Sequence, residues 1–523
     1  MQMVREKEPP VTQQSRRPRP GRNARWLGIA GIVVLVIFAV MLVFLIRNWP
    51  FTQDALIAGL RDKFGGSVEI KTFHRTFFPG PGLIAEGLTL RRDSEPAQKP
   101  FLFIRKFTIA GSYAALFTLQ RRVSEIRAEG AHIHIPSGGV NPSFDGGPNT
   151  GKPLKVGSFV VDGSELEFSR KDDGKEPLLF RIRQLTMSPV NTGQPTSFQL
   201  NMLNAEPPGE IQAQGQFGPV DSHHAHRTPV SGTYKFLHAN LGVFHGVGGI
   251  LSSEGKFEGP LERLVVEDAT DIPDFEVTKS HHAVHLRTKY HAIVNGTNGD
   301  VVLNPVVTHF LRTTVVADGS VAGKHGKTVA LEMSVKEGRI QDLLHLFVKS
   351  NRSPLNGVVS LRAKVTVPPE KAPFEEKVRI LGDFGIAGAQ FTNANTQAGV
   401  NKLSARAEGE KDVEEPESVV SDLKGHVVMN HGVATFTNLS FSVPGAFVQM
   451  HGTFNLINER VDLHGTLRMD AKLSETTTGI KSFLLKAIDP LFKRKKSGAG
   501  AVVPVKITGT YSNPSYGLDI LPK

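Results

Sequence analysis

The sequence predicts a mainly β protein with a few short helices, an antiparallel sheet set behind an N-terminal transmembrane helix. Three observations carry that prediction. First, Leu27 to Ile46 is a run of twenty residues with no charge, no proline and no strongly polar side chain. At about 1.5 Å per residue it forms a helix roughly 30 Å long, the depth of a bilayer's hydrocarbon core. Second, most of the remaining chain is a succession of short alternating apolar and polar runs ended by Gly, Pro or Asn, the pattern of half-buried strands. Third, 32 Phe stand against 5 Tyr, Gly reaches 52, and Cys is absent. Burial and backbone pairing, rather than disulfides, must hold such a chain together.

The flanks orient the span. Seven basic residues precede it (Arg5, Lys7, Arg16, Arg17, Arg19, Arg22, Arg25) and three lie in the next twenty (Arg47, Arg61, Lys63). Basic flanks stay cytoplasmic, which places the tail 1–26 inside and the long remainder outside. A cleaved signal peptide needs a shorter apolar core and a small-residue site, whereas Arg47-Asn48-Trp49-Pro50 follows here. Trp26 and Trp49, the only tryptophans, bracket the span at headgroup depth. Residues 8–22, rich in Pro, Gln and Arg, have no apolar set to fold around. Of the net charge of +11, the first 25 residues contribute five, and the rest is too diffuse for a nucleic-acid surface.

After the span, Thr52 caps a helix over Ala55–Phe64 that Gly65-Gly66 stops. A strand at Val68–Phe73, a corner at Pro79–Gly82 and a strand at Leu83–Leu90 follow, then a strand at Leu102–Ile109 and a short helix at Tyr113–Phe117. Val123–Ala128 and His132–Ile135 read as two strands with Gly130 at the turn between them. Leu154–Val190 reads as a hairpin with its tip at Asp172-Asp173-Gly174. From about 200 to 370 the alternating runs include Glu210–Phe217, Thr233–Leu237, His282–Val294 and Thr328–Val335. A loose motif recurs at Gly255-Lys256-Phe257, Gly452-Thr453-Phe454 and Gly509-Thr510-Tyr511, with no fixed period. Ile380–Gln390 and Lys402–Glu408 read as strands leading into an acidic hairpin tip at 408–417.

A last helix is expected over 479–496. Ile480, Phe483, Leu484, Ala487, Ile488, Leu491 and Phe492 make one apolar face, and Lys493 and Arg494 open its basic end. It serves either as a membrane-contact helix on anionic headgroups or as a cap on the open end of the sheet. Pro490 kinks or breaks it near Asp489.

No reaction centre is legible. Gly326-Lys327-Thr328 ends like a phosphate loop, but Val321 stands where its first Gly must be, so a hairpin turn is expected. There is no H-E-x-x-H and no G-x-S-x-G. His223, His224 and His226 cluster, as do His281, His282, His285 and His291, with His281 and His285 sharing a strand face. Neither group has carboxylates at ligand spacing, so both read as polar surface. The expectation is therefore a non-enzyme with no catalytic residue, cofactor or metal.

The segment FTIAGSYAALFTLQRRVSEIRAEGAHIHIP, Phe107 to Pro136, follows the anchor, the Gly-stopped helix and the Pro-Gly corner. Together with Leu154–Val190, this order resembles the amino-terminal region of the AsmA-like family of bacterial envelope proteins. Gly425–Leu473, the 479–496 helix and a last strand in Val503–Ile520 with Gly509, Thr510 and Pro514 are similar to that family's carboxy-terminal region. The two ends bracket nearly the whole exported chain, and the middle matches in texture only. The resemblance divides the chain into an N-terminal α+β region at 47–200, a central β-hairpin region at 201–370 and a C-terminal β region at 371–523. It implies an elongated, curved sheet with a groove that carries lipids, as in bridge-type lipid-transfer proteins. The implied role is phospholipid transport between inner and outer membranes, or outer-membrane biogenesis, by a periplasmic chain with its N-terminus in the cytoplasm. Phospholipids, the inner membrane and an outer-membrane or envelope protein are the implied partners. Some 25 strands at about 4.8 Å would extend roughly 120 Å, short for a bridge without a partner. The alternative is a non-transporting envelope scaffold or an assembly factor for outer-membrane proteins. In GAFVQMHGTFNLI, Ala446, Val448 and Met450 share the more apolar face, which makes Val448 and Met450 the candidate lipid lining.

Overall fold

The computed structural model describes residues 52–519 except 65, 79, 92–98, 113–121, 137–154, 170–175, 191–192, 222–223, 245, 324–325, 371, 409–417, 471–500 and 511–512. Among these residues no helix is long and apolar enough to cross a membrane. The expected span 27–46, the helix Tyr113–Phe117, the two hairpin tips and the basic helix 479–496 fall outside them.

The chain is mainly β, with few helices, and its strands join in one long, curved, open sheet. Helix α1 (Gln53–Phe64) lays Leu56 and Leu60 into the first core. Strands β1 (Ser67–Glu69) and β2 (Thr72–Thr76) both pair with β3 (Gly82–Arg91), so the single strand expected at Val68–Phe73 is in fact two. Then come β4 (Leu102–Gly111), β5 (Arg122–Ile135), β6 (Lys155–Phe168), β7 (Leu178–Ser188), β8 (Thr196–Ala205) and β9 (Pro208–Phe217). The middle holds β10 (Pro229–Asn240), the short β11 (Val247–Gly248), β12 (Ile250–Pro260), β13 (Leu264–Val277), β14 (Val284–Val294), β15 (Val301–Phe310), β16 (Thr313–Ala322) and β17 (Thr328–Arg339).

Helix α2 (Ile340–Phe347) precedes β18 (Leu355–Val367), the one-turn α3 (Phe374–Lys377) precedes β19 (Arg379–Phe391), and α4 (Ala394–Ala407) precedes β20 (Ser421–Asn430). The sheet closes its run with β21 (Val433–Val443), β22 (Ala446–Asn455), β23 (Arg460–Met469), β24 (Ala501–Thr510) and β25 (Asn513–Leu518). From β3 onward each strand pairs with the next in sequence, except that β10 skips to β12 and β11 adds beside β13. The strands at the two ends do not pair with each other among the described residues.

Three further expectations are corrected. The sheet is mixed rather than wholly antiparallel, because β5 and β6 run parallel. Gly130 does not turn the chain; Arg122–Ile135 is one strand. Gly130 (φ 62°) and Gly163 (φ 53°) are kinks in these two parallel strands, where the Ala131 N–H donates to Ser164 Oγ at 3.0 Å. Both kinks need left-handed backbone, which glycine adopts without Cβ strain. Lys402–Glu408 is not a strand but the end of α4, whose Val400, Leu403 and Ala407 recur at helical spacing and pack against Val443 and Ala446.

Burial changes along the sheet. In β3–β8 the apolar face is closed: Leu83, Ile126 and Phe159 are 0% exposed and Phe198 is 2% exposed. From β10 onward the same face is covered unevenly, and partly exposed Phe257, Leu303, Leu331 and Phe454 alternate with small or buried residues. The change falls where Gly215 of β9 faces Gly232 of β10. A Cβ at Gly215 would lie 1.9 Å from the Ser231 carbonyl oxygen, so only glycine permits this approach.

Candidate functional site

Strand alternation sorts the chemistry onto two faces. On the outer face, charged residues opposite each other pair across the strands. Lys256 reaches Glu267 at 2.7 Å, Lys364 reaches Glu332 at 2.9 Å, and His426 lies 2.7 Å from Asp383. This arrangement also places the histidines. His285 sits 2.7 Å from Asp271 and His291 sits 3.8 Å from Glu267, carboxylates that neighbouring strands supply and linear spacing does not reveal. His281 does not share the strand face of His285; it lies in the preceding turn at φ 58°. His282 stacks on His345 at 4.3 Å. His224 and His226 neighbour each other and reach Asp221 and Glu262 separately, while His223 lies outside the described residues. Among the described residues no three such ligands converge. A recess of about 900 Å³ over β7–β14 is lined by outer-face side chains such as Gln199, Gln214, Lys235 and Lys256 and also by Tyr234, Gly255, Asp268 and Tyr290, and its Lys256 and His291 share Glu267.

The turn at Gly326-Lys327-Thr328 joins β16 to β17 as a hairpin. Lys327 is buried there, donating from Nζ to Asp300 and, at 3.0 Å, to the Asn298 carbonyl. Burial alone would raise the Asp300 carboxyl, but the bond from Lys327 holds it below the usual carboxylate range.

The inner face is the candidate site. Its register partners can be followed strand by strand. One row starts at Leu83 and passes through Ile109, Ile126, Phe159, Met187, Phe198, Gly215 and Gly232. It continues through Phe257, Val266, Ala292, Leu303, Gly319, Leu331 and Val365. It ends through Ile380, Met429, Ala434, Phe454, Val461 and Gly509. Every member from β3 to β24 is apolar or glycine. The loose Gly-x-aromatic motif now has a physical meaning: Phe257 and Phe454 stand in this row, and Gly255 and Gly452 stand two residues before them in the next.

Val448 and Met450 lie on the same face as Phe454. Met450 is buried and Val448 partly so, between Phe441 of β21 and Leu467 of β23. Phe447, Gln449 and His451 are exposed on the other face. Ile480, Phe483, Leu484, Ile488, Leu491, Lys493 and Arg494 lie outside the described residues. Toward one margin α2 places Leu346 with Val335, Val359 and Ile386, so that margin is sealed by a helix.

The second inner row is apolar in the same way with one interruption, which composition and linear spacing do not disclose. It runs through Ala213, Tyr234, Gly255, Asp268, Tyr290 and Val306. Asp268 is 6% exposed. Its Oδ2 accepts from the Tyr234 hydroxyl and from Ser253 Oγ, and its Oδ1 accepts from Thr270 Oγ1 at 2.9 Å. In the adjoining row, Thr288 and Thr308 hydroxyls meet at 3.1 Å. Burial raises the Tyr234 phenol far above its ordinary value and pushes Tyr290 up to about 12, with the Asp268 carboxylate adding to both. Both phenols therefore stay protonated donors near neutral pH.

No protein-family model, curated protein or solved structure matches this chain.

Proposed function

We propose that this chain is an anchored envelope protein of the AsmA-like kind, which holds phospholipid acyl chains along the inner face of its sheet. The observation that carries the reading is the unbroken apolar register row from Leu83 to Gly509, partly exposed over its downstream half. A row of that length with no polar side chain is more than one domain core requires. Acyl chains, unlike a protein partner, match an apolar surface without needing hydrogen-bond partners.

On this reading the closed region β3–β8 is a rigid base near the membrane-proximal end, and the downstream face is the groove. The apolar segment 27–46 would tether the base to the inner membrane, and an outer-membrane or envelope partner would complete the route. Contacts of this kind are non-directional and scale with the apolar area removed from water, so a lipid can shift along the row without breaking specific bonds. No group in this scheme reacts, so the chain acts as a carrier rather than a catalyst.

The test is mass spectrometry of lipids that co-purify with the full chain in a mild, lipid-free detergent. Phospholipid retained in at least equimolar amount supports the reading. Protein that emerges folded and free of phospholipid contradicts it and leaves an envelope scaffold in its place.

A further inference from the structure

Among the described strand residues of the downstream inner face, Asp268 is the one buried carboxylate, and no cationic side chain pairs with it. Asp268 enters none of the ion pairs formed among the described residues, although the outer-face carboxylates on either side of it, Glu267 and Asp271, both do. Its partners are hydroxyls alone: Tyr234, Ser253 and Thr270 donate to it, and the Tyr290 hydroxyl lies within its reach. Hydroxyls satisfy lone pairs but leave the charge itself uncompensated.

The surroundings fit a cation. Gly255 separates Tyr234 from Asp268 in the row, and a Cβ there would lie 2.9 Å from the Tyr234 ring and 3.0 Å from Asp268 Oδ2. The absent side chain is what brings ring and carboxylate together. Tyr290 is the register partner of Asp268 on the other side. Two aromatic rings beside a buried carboxylate form the kind of box that attracts an ammonium group. Phe257 of the neighbouring row, partly exposed, offers apolar surface for a chain attached to that ammonium.

We infer that Asp268, with Tyr234 and Tyr290, is a headgroup station in the lining that takes the ammonium of an ethanolamine phospholipid. This rests on the reading of the inner face as a lipid groove. An anionic glycerol headgroup gains nothing at this site and meets the carboxylate's repulsion, so the station makes the groove selective.

The full chain in detergent would be mixed with equal amounts of phosphatidylethanolamine and phosphatidylglycerol of one acyl composition. The bound lipid is then quantified by mass spectrometry. Wild type should enrich the ethanolamine lipid by about tenfold, the scale of one desolvated cation contact. Asp268→Asn should bring the ratio near one at unchanged total lipid. Soluble ethanolamine added in excess should not displace the lipid, because it lacks the acyl anchor; displacement would overturn the lipid as the occupant. Should Asp268→Asn fail to fold, N-acetylated phosphatidylethanolamine makes the comparison on wild type. The neutral amide should lose the enrichment. Lipid bound without headgroup preference, or a preference that survives Asp268→Asn or N-acetylation, overturns this inference and leaves the groove intact. Absence of any bound lipid overturns the groove and the station together.

Discussion

Phe159 and Phe454 occupy the same register row, but one lies in the closed base and the other on the partly exposed face. Replacing each with alanine measures the difference between the two regions. Phe159 is 0% exposed and packed on all sides, so Phe159→Ala loses the full transfer term and leaves a cavity, together about 3–5 kcal/mol. Phe454 is only partly buried, so the loss is about half the 1.5–3 kcal/mol of full burial, roughly 1 kcal/mol. A chain of this length need not unfold in one step, so the readout is amide hydrogen exchange in the flanking strands. Protection in β5–β7 should fall about a hundredfold or more in Phe159→Ala, and protection in β21–β23 about fivefold in Phe454→Ala. Equal losses would show that Phe454 is enclosed as Phe159 is, and would refute an open downstream face.

Three further outcomes are expected. Val448→Asp should keep protease resistance, since a carboxylate on a partly exposed face stays hydrated, while bound phospholipid falls; unfolding would indicate a filled interior. Gly215→Ala forces a Cβ against the Ser231 carbonyl oxygen and should abolish exchange protection across β9–β10, and a variant with wild-type protection there would contradict the close approach. His464 is raised above its ordinary value, chiefly by its bond to Asp519, with burial opposing and Asp462 adding. Its contribution to stability is complete below the unfolded value near 6.5 and is lost as pH rises through the folded value. An NMR titration of His464 should show its midpoint falling in Asp519→Asn; an unmoved midpoint would remove Asp519 as the cause.

Period-two alternation made most strands legible, because a sheet with one apolar face writes that face directly into the sequence. It failed where the same letters serve two geometries. Lys402–Glu408 alternates over a short window, yet Val400, Leu403 and Ala407 take a helical period across α4, and packing on Val443 and Ala446 decides the matter. Gly130 signals left-handed backbone equally well in a turn or in a kinked strand, and its pairing with β6 settled which. Helix α2 was not anticipated, although Leu343 and Leu346 mark its buried side. Alternation also gave the face of Val448 and Met450 correctly. The Asp268 cluster was invisible because Tyr234, Ser253 and Asp268 come from three strands and meet only through register.

The central claim, that phospholipid lies on the inner face and not the outer, can be measured by site-specific photocrosslinking in cells. A benzophenone amino acid would replace Leu331 or Val365 on the inner row, and Glu332 or Lys364, register partners on the outer face, as controls. Phospholipid adducts at Leu331 and Val365 with none at Glu332 and Lys364 is the predicted result. Adducts at all four positions alike, or at neither inner position, would contradict the account.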